Sequence, residues 1–409
     1  MQAATVKKGL LVLVLLGLSA ILVGAIAMRV IGEEAGSNSY ALLAEAFLNG
    51  KLSVERCFDG DCAVFNGQTY IIFPPVPALL VMPFVALWGA DFAHFMVISL
   101  ALFVLTGALW WQIFLRIGCD NALAALLVVA FLFSTPVHHV TLRGDSIWFF
   151  AQIVAVTLIT LAIWSAFVWR SPIAVGLFIG LALLTRQMSI LYMPFFFVLT
   201  TPADRSIFAV DRAAIIRLLK LALFPALAIA IYFAYNYVRF GDMLQTGYAY
   251  IFPAEQATDQ DNFIEFRVRE VGLFSKDYLL YNVLYMFLQG PHVEFAGKYL
   301  TELKGLDAGG VALFIGAPFL LFYFLAKWDR NFLFASLTIL VIAGVTLFYH
   351  SNGFAQYSIQ RYTLDWLPLA MLFVAVAVRN ENKAILGLLV AHGMVLTIGM
   401  QGVAFLVNR

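Results

Sequence analysis

"PPVPALLVMPFVALWGA", residues 74–90, decides how often this chain crosses a membrane and which segments share a side. The stretch is apolar enough to enter a bilayer. It is also shorter than the roughly 20 residues that a spanning helix needs, and its prolines interrupt it. We read it as an interfacial or re-entrant helix. With that assignment the Lys/Arg-rich short loops fall on one side of the membrane; counted as a crossing, the same stretch would scatter them over both.

Composition sets the solvent. Of 409 residues, 63% are hydrophobic and only 12% are charged, and the mean hydropathy is +0.91. Such values describe an all-α polytopic membrane protein rather than a chain that buries one aqueous core. Apolar runs at 9–31, 92–116, 121–137, 146–169, 172–185, 188–201, 215–237, 309–326, 331–349, 363–378 and 384–407 predict about eleven transmembrane helices in a single membrane domain, 1–409. The pair 172–185 and 188–201, parted only by Arg186-Gln187, can also be read as one tilted helix. A net charge of +1 with no basic block gives nucleic acid no electrostatic foothold.

Lys7 and Lys8 precede the first span, which is too long for a cleavable signal, so the N-terminus is expected in the cytoplasm. Arg116, Arg170, 203–220, "KWDR" (327–330) and "RNENK" (379–383) then mark the inner loops. Four segments face outward: 32–91, "STPVHHVTLRGDS" (134–146), 238–308 and "YHSNGFAQYSIQRYTLDW" (349–366). Most of the unusual polar residues lie in them, which points to a site on the outer face. Within 238–308, the polar stretch 253–277 leads into amphipathic 278–291, read as a second interfacial helix beside a lipid entrance.

Cys57 and Cys62 lie in the outward loop, where oxidation is permitted, and Cys119 beside an inner turn. A Cys57–Cys62 bond would close a loop around "FDGD" and hold Asp59 and Asp61 at the membrane edge; two unpaired thiols are the alternative. No metal-ligand spacing and no Walker, Rossmann or serine-hydrolase signature is present. No cofactor is expected, and the sequence leaves a divalent-metal requirement open.

The order of motifs resembles the GT-C superfamily of integral-membrane glycosyltransferases, nearest the protein O-mannosyltransferase and lipid A aminoarabinose transferase branch. "NSYALLAEAFLNGKL" (38–52) is similar to the stretch after that family's first helix, and "GQTYIIFPPVPALLVMPFVALWG" (67–89) to its Pro-Pro segment. "GLALLTRQMSIL" (180–191) looks like its arginine-bearing helix, and "YNYVRFGDMLQTGY" (235–248) and "QRYTLDWLP" (360–368) like pieces of bacterial members. The resemblance implies transfer of a sugar, with inversion, from a polyprenyl-phosphate donor to a hydroxyl of an envelope glycan, lipid or protein. It also implies a bacterial inner membrane, an extracytoplasmic site and a catalytic carboxylate in the first loop. This chain departs from the pattern: Gly36 or Asn38 stands where the acid is aligned, and Phe73 where a lysine often precedes the prolines.

Such a transfer needs a carboxylate to take the acceptor proton, cations for the departing phosphate, and aromatic walls. For the base, Glu33, Glu34, Asp59, Asp61 and Asp145 are available, with Asp61 or Glu34 the first choice. Asp145 opens a helix, where an N-cap is the simpler reading. Arg143, Arg186, Arg239 and Arg361 are the phosphate candidates; Arg186 stands out because it interrupts apolar sequence. Tyr40, Tyr70, Asn38, His138, Tyr248 and Asp365 would line the sugar or acceptor path, although His138 more simply caps backbone carbonyls. Two rival readings are a non-catalytic glycolipid-binding relative and a lipid or sugar transporter. Transporters commonly show paired halves and mid-span charges, whereas no internal repeat is evident here and the charges lie at outer helix ends.

Overall fold

The computed structural model describes residues 2–251, 263–354, 357–379 and 383–407. Parts of the 253–277 stretch, of the 349–366 loop and of "RNENK" therefore lie outside the described residues. The chain runs through α1 (Gln2–Ile31), α2 (Ser39–Leu48), a hairpin of β1 (Cys62–Phe65) and β2 (Gln68–Ile71), α3 (Val76–Trp88), α4 (Phe95–Ile117), α5 (Asn121–Phe133) and α6 (Pro136–Leu142). It continues with α7 (Ile147–Trp164), α8 (Pro172–Leu183), α9 (Met193–Leu199), α10 (Arg212–Phe240), α11 (Phe263–Val271) and α12 (Leu279–Phe287). After a second hairpin, β3 (Val293–Ala296) and β4 (Glu302–Leu306), come α13 (Leu313–Gly316), α14 (Arg330–Leu347), α15 (Leu367–Val378) and α16 (Lys383–Val407).

Among the described residues six helices are long and apolar enough to cross a membrane: Gly9–Ile31, Phe95–Ile117, Ile147–Trp169, Arg212–Phe240, Arg330–Leu347 and Lys383–Val407. The chain is an integral membrane protein. Helices α5 and α6, bent by 54° at their break, make a seventh if they act as one span. The remaining apolar runs are broken into pieces shorter than a bilayer. The run 172–201 stops at Leu184–Arg186 and resumes as a 3-10 turn leading into α9. Residues 309–326 fall into α13 and a 3-10 stretch, Pro318–Leu325, because Pro318 cannot continue the hydrogen-bond ladder of α13. Run length reads apolarity, and apolarity does not report where a helix breaks.

Contacts divide the chain into two compact units, each described by itself. One comprises Met1–Met28, Gly107–His139 and Leu273–Arg409. In it the amphipathic α12 is tied to the end of α14, with Asn282 Nδ2 donating to Leu347 O (2.7 Å) and Tyr349 O (2.9 Å). Leu280, Leu284 and Leu288 are exposed on that segment. Ser134 Oγ donates to Val390 O at 2.8 Å, where Gly393 lets α16 come close.

The other unit comprises Arg29–Thr106 and Val140–Gly272. Its tightest helix pair is α8 against α10. A Cβ on Gly176 would lie 2.3 Å from Leu221 O, and one on Gly180 2.8 Å from Phe224 O, so only glycine permits this approach. Pro225, inside α10, has no N–H to offer Leu221 O, the carbonyl that Gly176 meets. The β1–β2 hairpin turns on Asn66-Gly67, both at positive φ (50° and 73°), the backbone that this dipeptide favours in two-residue turns. It joins an aromatic cluster of Tyr70, Phe240, Tyr248 and Tyr250.

Candidate functional site

The candidate site lies in the second of these units, where the segment 32–91 meets the turn before α7. Asn38 caps α2, its Oδ1 accepting from Tyr40 N at 3.0 Å while Nδ2 donates to Gly144 O at 3.5 Å. Position 144 has no room for a side chain, since a Cβ there would lie 2.0 Å from Ser99 Oγ. Asp145 follows directly. Its Oδ2 pairs with Arg29 Nη2, the two side chains being 17% and 43% exposed. Its Oδ1 is buried and has no hydrogen-bond partner among the described residues. The N-cap expected of Asp145 is not observed: the cap position of α7 is Ser146, and the Asp145 carboxylate turns to Arg29 instead.

The neighbouring acids are committed elsewhere. Glu33 accepts from Phe95 N (2.8 Å) and Met96 N (3.0 Å), closing the N-terminus of α4. Asp59 accepts from Ser39 N (2.7 Å) and Ile147 N (3.3 Å). Asp61 accepts the Trp148 indole N–H at 2.5 Å. Glu34 is exposed. Burial pushes the Glu33 and Asp59 carboxyls above their ordinary range, their N–H bonds pull back, and the charge of Asp145 pushes both up further. Asp145 is thus close to both, and its Oδ1 is a buried carboxylate oxygen with no hydrogen-bond partner among the described residues.

Tyr40 is fully buried, packed against Phe73 and Phe150, and its hydroxyl has no partner among the described residues. Tyr235 is 8% exposed and its hydroxyl is equally unpartnered. Burial raises the Tyr40 phenol well above its usual range; the Arg186 charge pulls it down, while Tyr235, Tyr248 and Asp59 push it up. Those groups therefore share one neighbourhood. Arg186 sits half-buried at the break between α8 and α9. Arg143 lies over the Phe149 ring, 4.9 Å from its centroid.

Other candidates lie apart from this neighbourhood in what they bond. Arg239 is a buried rivet, donating to Ile71 O, Asn236 Oδ1 and Tyr235 O. Tyr70 donates to Gln68 Oε1 and packs edge-on to Phe240. In the first unit, both His138 ring nitrogens are engaged, Nε2 by Leu22 O and Nδ1 by the Gln401 amide. Arg361 and Asp365 are buried there in a 3-10 turn, Arg361 over the Tyr362 ring. Cys57 and Cys62 are joined as a disulfide. Among the described residues no three His, Cys, Asp or Glu side chains are grouped to hold a metal ion.

Arg29, Ser39 and Tyr235 escaped the sequence reading. Arg29 had a signal, a cation in the last turn of an apolar helix. Ser39 had none.

No protein-family model matches the chain, and no curated protein matches it. Among solved structures the chain is similar to ArnT from Cupriavidus metallidurans bound to undecaprenyl phosphate, at 13% identity over 90% of this chain and 60% of that one, TM-score 0.48. The apo form of that protein gives 14% identity, 95% and 62% coverage and a TM-score of 0.48. AglB, an oligosaccharyltransferase from Archaeoglobus fulgidus in complex with an inhibitory peptide and a dolichol-phosphate, gives 13%, 97%, 56% and 0.42. Both are GT-C superfamily glycosyltransferases. This chain spans about 60% of the ArnT length. At these scores and identities the likeness carries no argument about activity, and the functional reading stands on the residues.

Proposed function

We propose that this chain transfers a sugar from a polyprenyl-phosphate donor to a hydroxyl acceptor at the extracytoplasmic face. The observation that carries the reading is the spare buried oxygen of Asp145, flanked by Glu33 and Asp59 whose oxygens are already taken. Arg29 holds Oδ2 and leaves Oδ1 without a partner among the described residues, an oxygen free to take a proton from an acceptor within hydrogen-bond reach. In the step, the acceptor oxygen bonds to the anomeric carbon from the face opposite the donor phosphate and gives its proton to Asp145 Oδ1. The bond from the anomeric carbon to the phosphate oxygen breaks, and the electron pair leaves with the polyprenyl phosphate. Arg186, with the Tyr40 and Tyr235 hydroxyls as donors, offsets the charge that develops there. Asp145 thereby supplies the acid that is missing at Asn38.

The purified chain in nanodiscs, given a polyprenyl-phosphate sugar and a hydroxyl acceptor, should release one free polyprenyl phosphate per glycosylated acceptor. Arg186→Ala should lower kcat/KM for the donor by about tenfold, the value of one charge-assisted contact. A wild-type chain that binds the donor without ever releasing polyprenyl phosphate is a binding protein, and the proposal fails.

A further inference from the structure

The ring closed by the Cys57–Cys62 bond takes no part in the step above, yet it touches both helices that carry it. Phe58 and Asp59 donate their backbone N–H groups to Ser39 Oγ at 3.1 and 3.3 Å. Ser39 returns its own N–H to Asp59 Oδ2 at 2.7 Å, and Asp59 Oδ1 accepts from Ile147 N at 3.3 Å. Asp61, next to Cys62, accepts from the Trp148 side chain at 2.5 Å. One small ring therefore grips the first residue of α2 and the first two of α7, segments far apart in the chain. Asp145 lies two residues before Ile147. Its other ties are Arg29, a half-exposed partner, and the long Asn38–Gly144 contact beside it.

The geometry points to this ring as the positioning device for the base, with Asp59 as the positioning residue, so that transfer responds to thiol redox state. The inference rests on Asp145 being the base. With the ring closed, Asp59 and Asp61 hold the start of α7 and Asp145 Oδ1 faces the acceptor. With it open, residues 58–61 gain conformational freedom and the carboxylate pair no longer fixes that turn. Opening needs a dithiol reductant. A thiolate attacks Sγ of Cys57, the less buried of the two cysteines, and the Cys62 thiolate leaves; the second thiol then resolves the mixed disulfide. Cys57 and Cys62 end as thiols, having received two electrons and two protons, and the reductant ends as a disulfide.

The full chain in nanodiscs tests this, assayed oxidised, after dithiothreitol, and as Cys57→Ser/Cys62→Ser, Asp59→Asn and Asp145→Asn. Reduction, verified by alkylation of both ring thiols, should lower kcat by about tenfold to a hundredfold, the cost of a misplacement near 1 Å. KM for the donor should change less than kcat does, because Arg186 and Tyr235, two of the three groups at the phosphate, lie outside the segments that the ring holds. Re-oxidation should restore the rate. The double serine variant should match the reduced chain and ignore dithiothreitol, and Asp59→Asn should lose kcat likewise. Amide exchange over 143–150 should rise on reduction while 172–183 is unchanged. A reduced chain with undiminished kcat, a double serine variant that still responds to dithiothreitol, or unaltered exchange over 143–150 overturns the inference. If Asp145→Asn is inactive while the reduced chain is fully active, the ring proposal falls and the base stands. If Asp145→Asn is as fast as wild type, the base falls and the ring proposal falls with it.

Discussion

Gly144→Ala is the sharpest test of how the base-bearing turn is built. The added Cβ would lie 2.0 Å from Ser99 Oγ, 2.6 Å from Ser99 Cβ and 3.3 Å from Thr141 O. Ordinary contact between such atoms needs about 3.4 Å or more, so either the turn or α4 must give way. Ser99 is fully buried in α4, and a rotamer change removes only the Oγ clash. Overpacking of this kind costs about 1–3 kcal/mol. The turn that must shift carries Asp145, so transfer should fall along with stability. Ser99→Ala takes away the 2.0 Å contact and leaves the 2.6 Å one, so it should rescue in part, while Ser99→Gly should rescue nearly all of the loss after its own cost of about 0.5–1 kcal/mol in a helix. A double-mutant cycle in equilibrium unfolding isolates the coupling, expected at about 1–2 kcal/mol in favour of the pair. A coupling near zero, or a Gly144→Ala chain as stable and active as wild type, would refute this account of the turn.

Two further outcomes follow from the same unit. Glu33 and Asp59, held above their ordinary values of 4.5 and 3.8, bind protons in the folded chain after the unfolded chain has released them. Unfolding free energy should therefore fall as pH climbs from about 4 through the raised values and then level off, and Asp59→Asn should flatten part of that slope in a pH series of denaturant melts. Gly176→Ala places a methyl against the Leu221 carbonyl and should cost about 2–3 kcal/mol, more than Gly180→Ala, whose contact is half an ångström looser, again measured by equilibrium unfolding.

The fold class was legible because membrane insertion is written in composition: long uncharged runs with basic residues between them leave few other solutions. Helix number was less so. Pro318 and the polar break at Arg186 end helices inside runs that stay apolar throughout, and a lipid tail is as apolar as a neighbouring helix, so periodicity cannot separate buried faces from exposed ones. The site was harder still. Asp145 looked like an N-cap because it stands one residue before an apolar run, and only the fold brings Arg29 to it from the end of α1. Asp59 and Asp61 are nearly indistinguishable in "FDGD". Their different partners, two backbone amides for one and an indole for the other, depend on where α7 begins beside them.

The most direct measurement is the single-turnover rate of sugar transfer by Asp145→Asn, with donor binding measured in parallel. Transfer should fall by about a hundredfold to ten-thousandfold at unchanged donor affinity, the loss expected when a general base is removed and the phosphate contacts are kept. A rate within about twofold of wild type, with the variant folded and donor-bound, would contradict it.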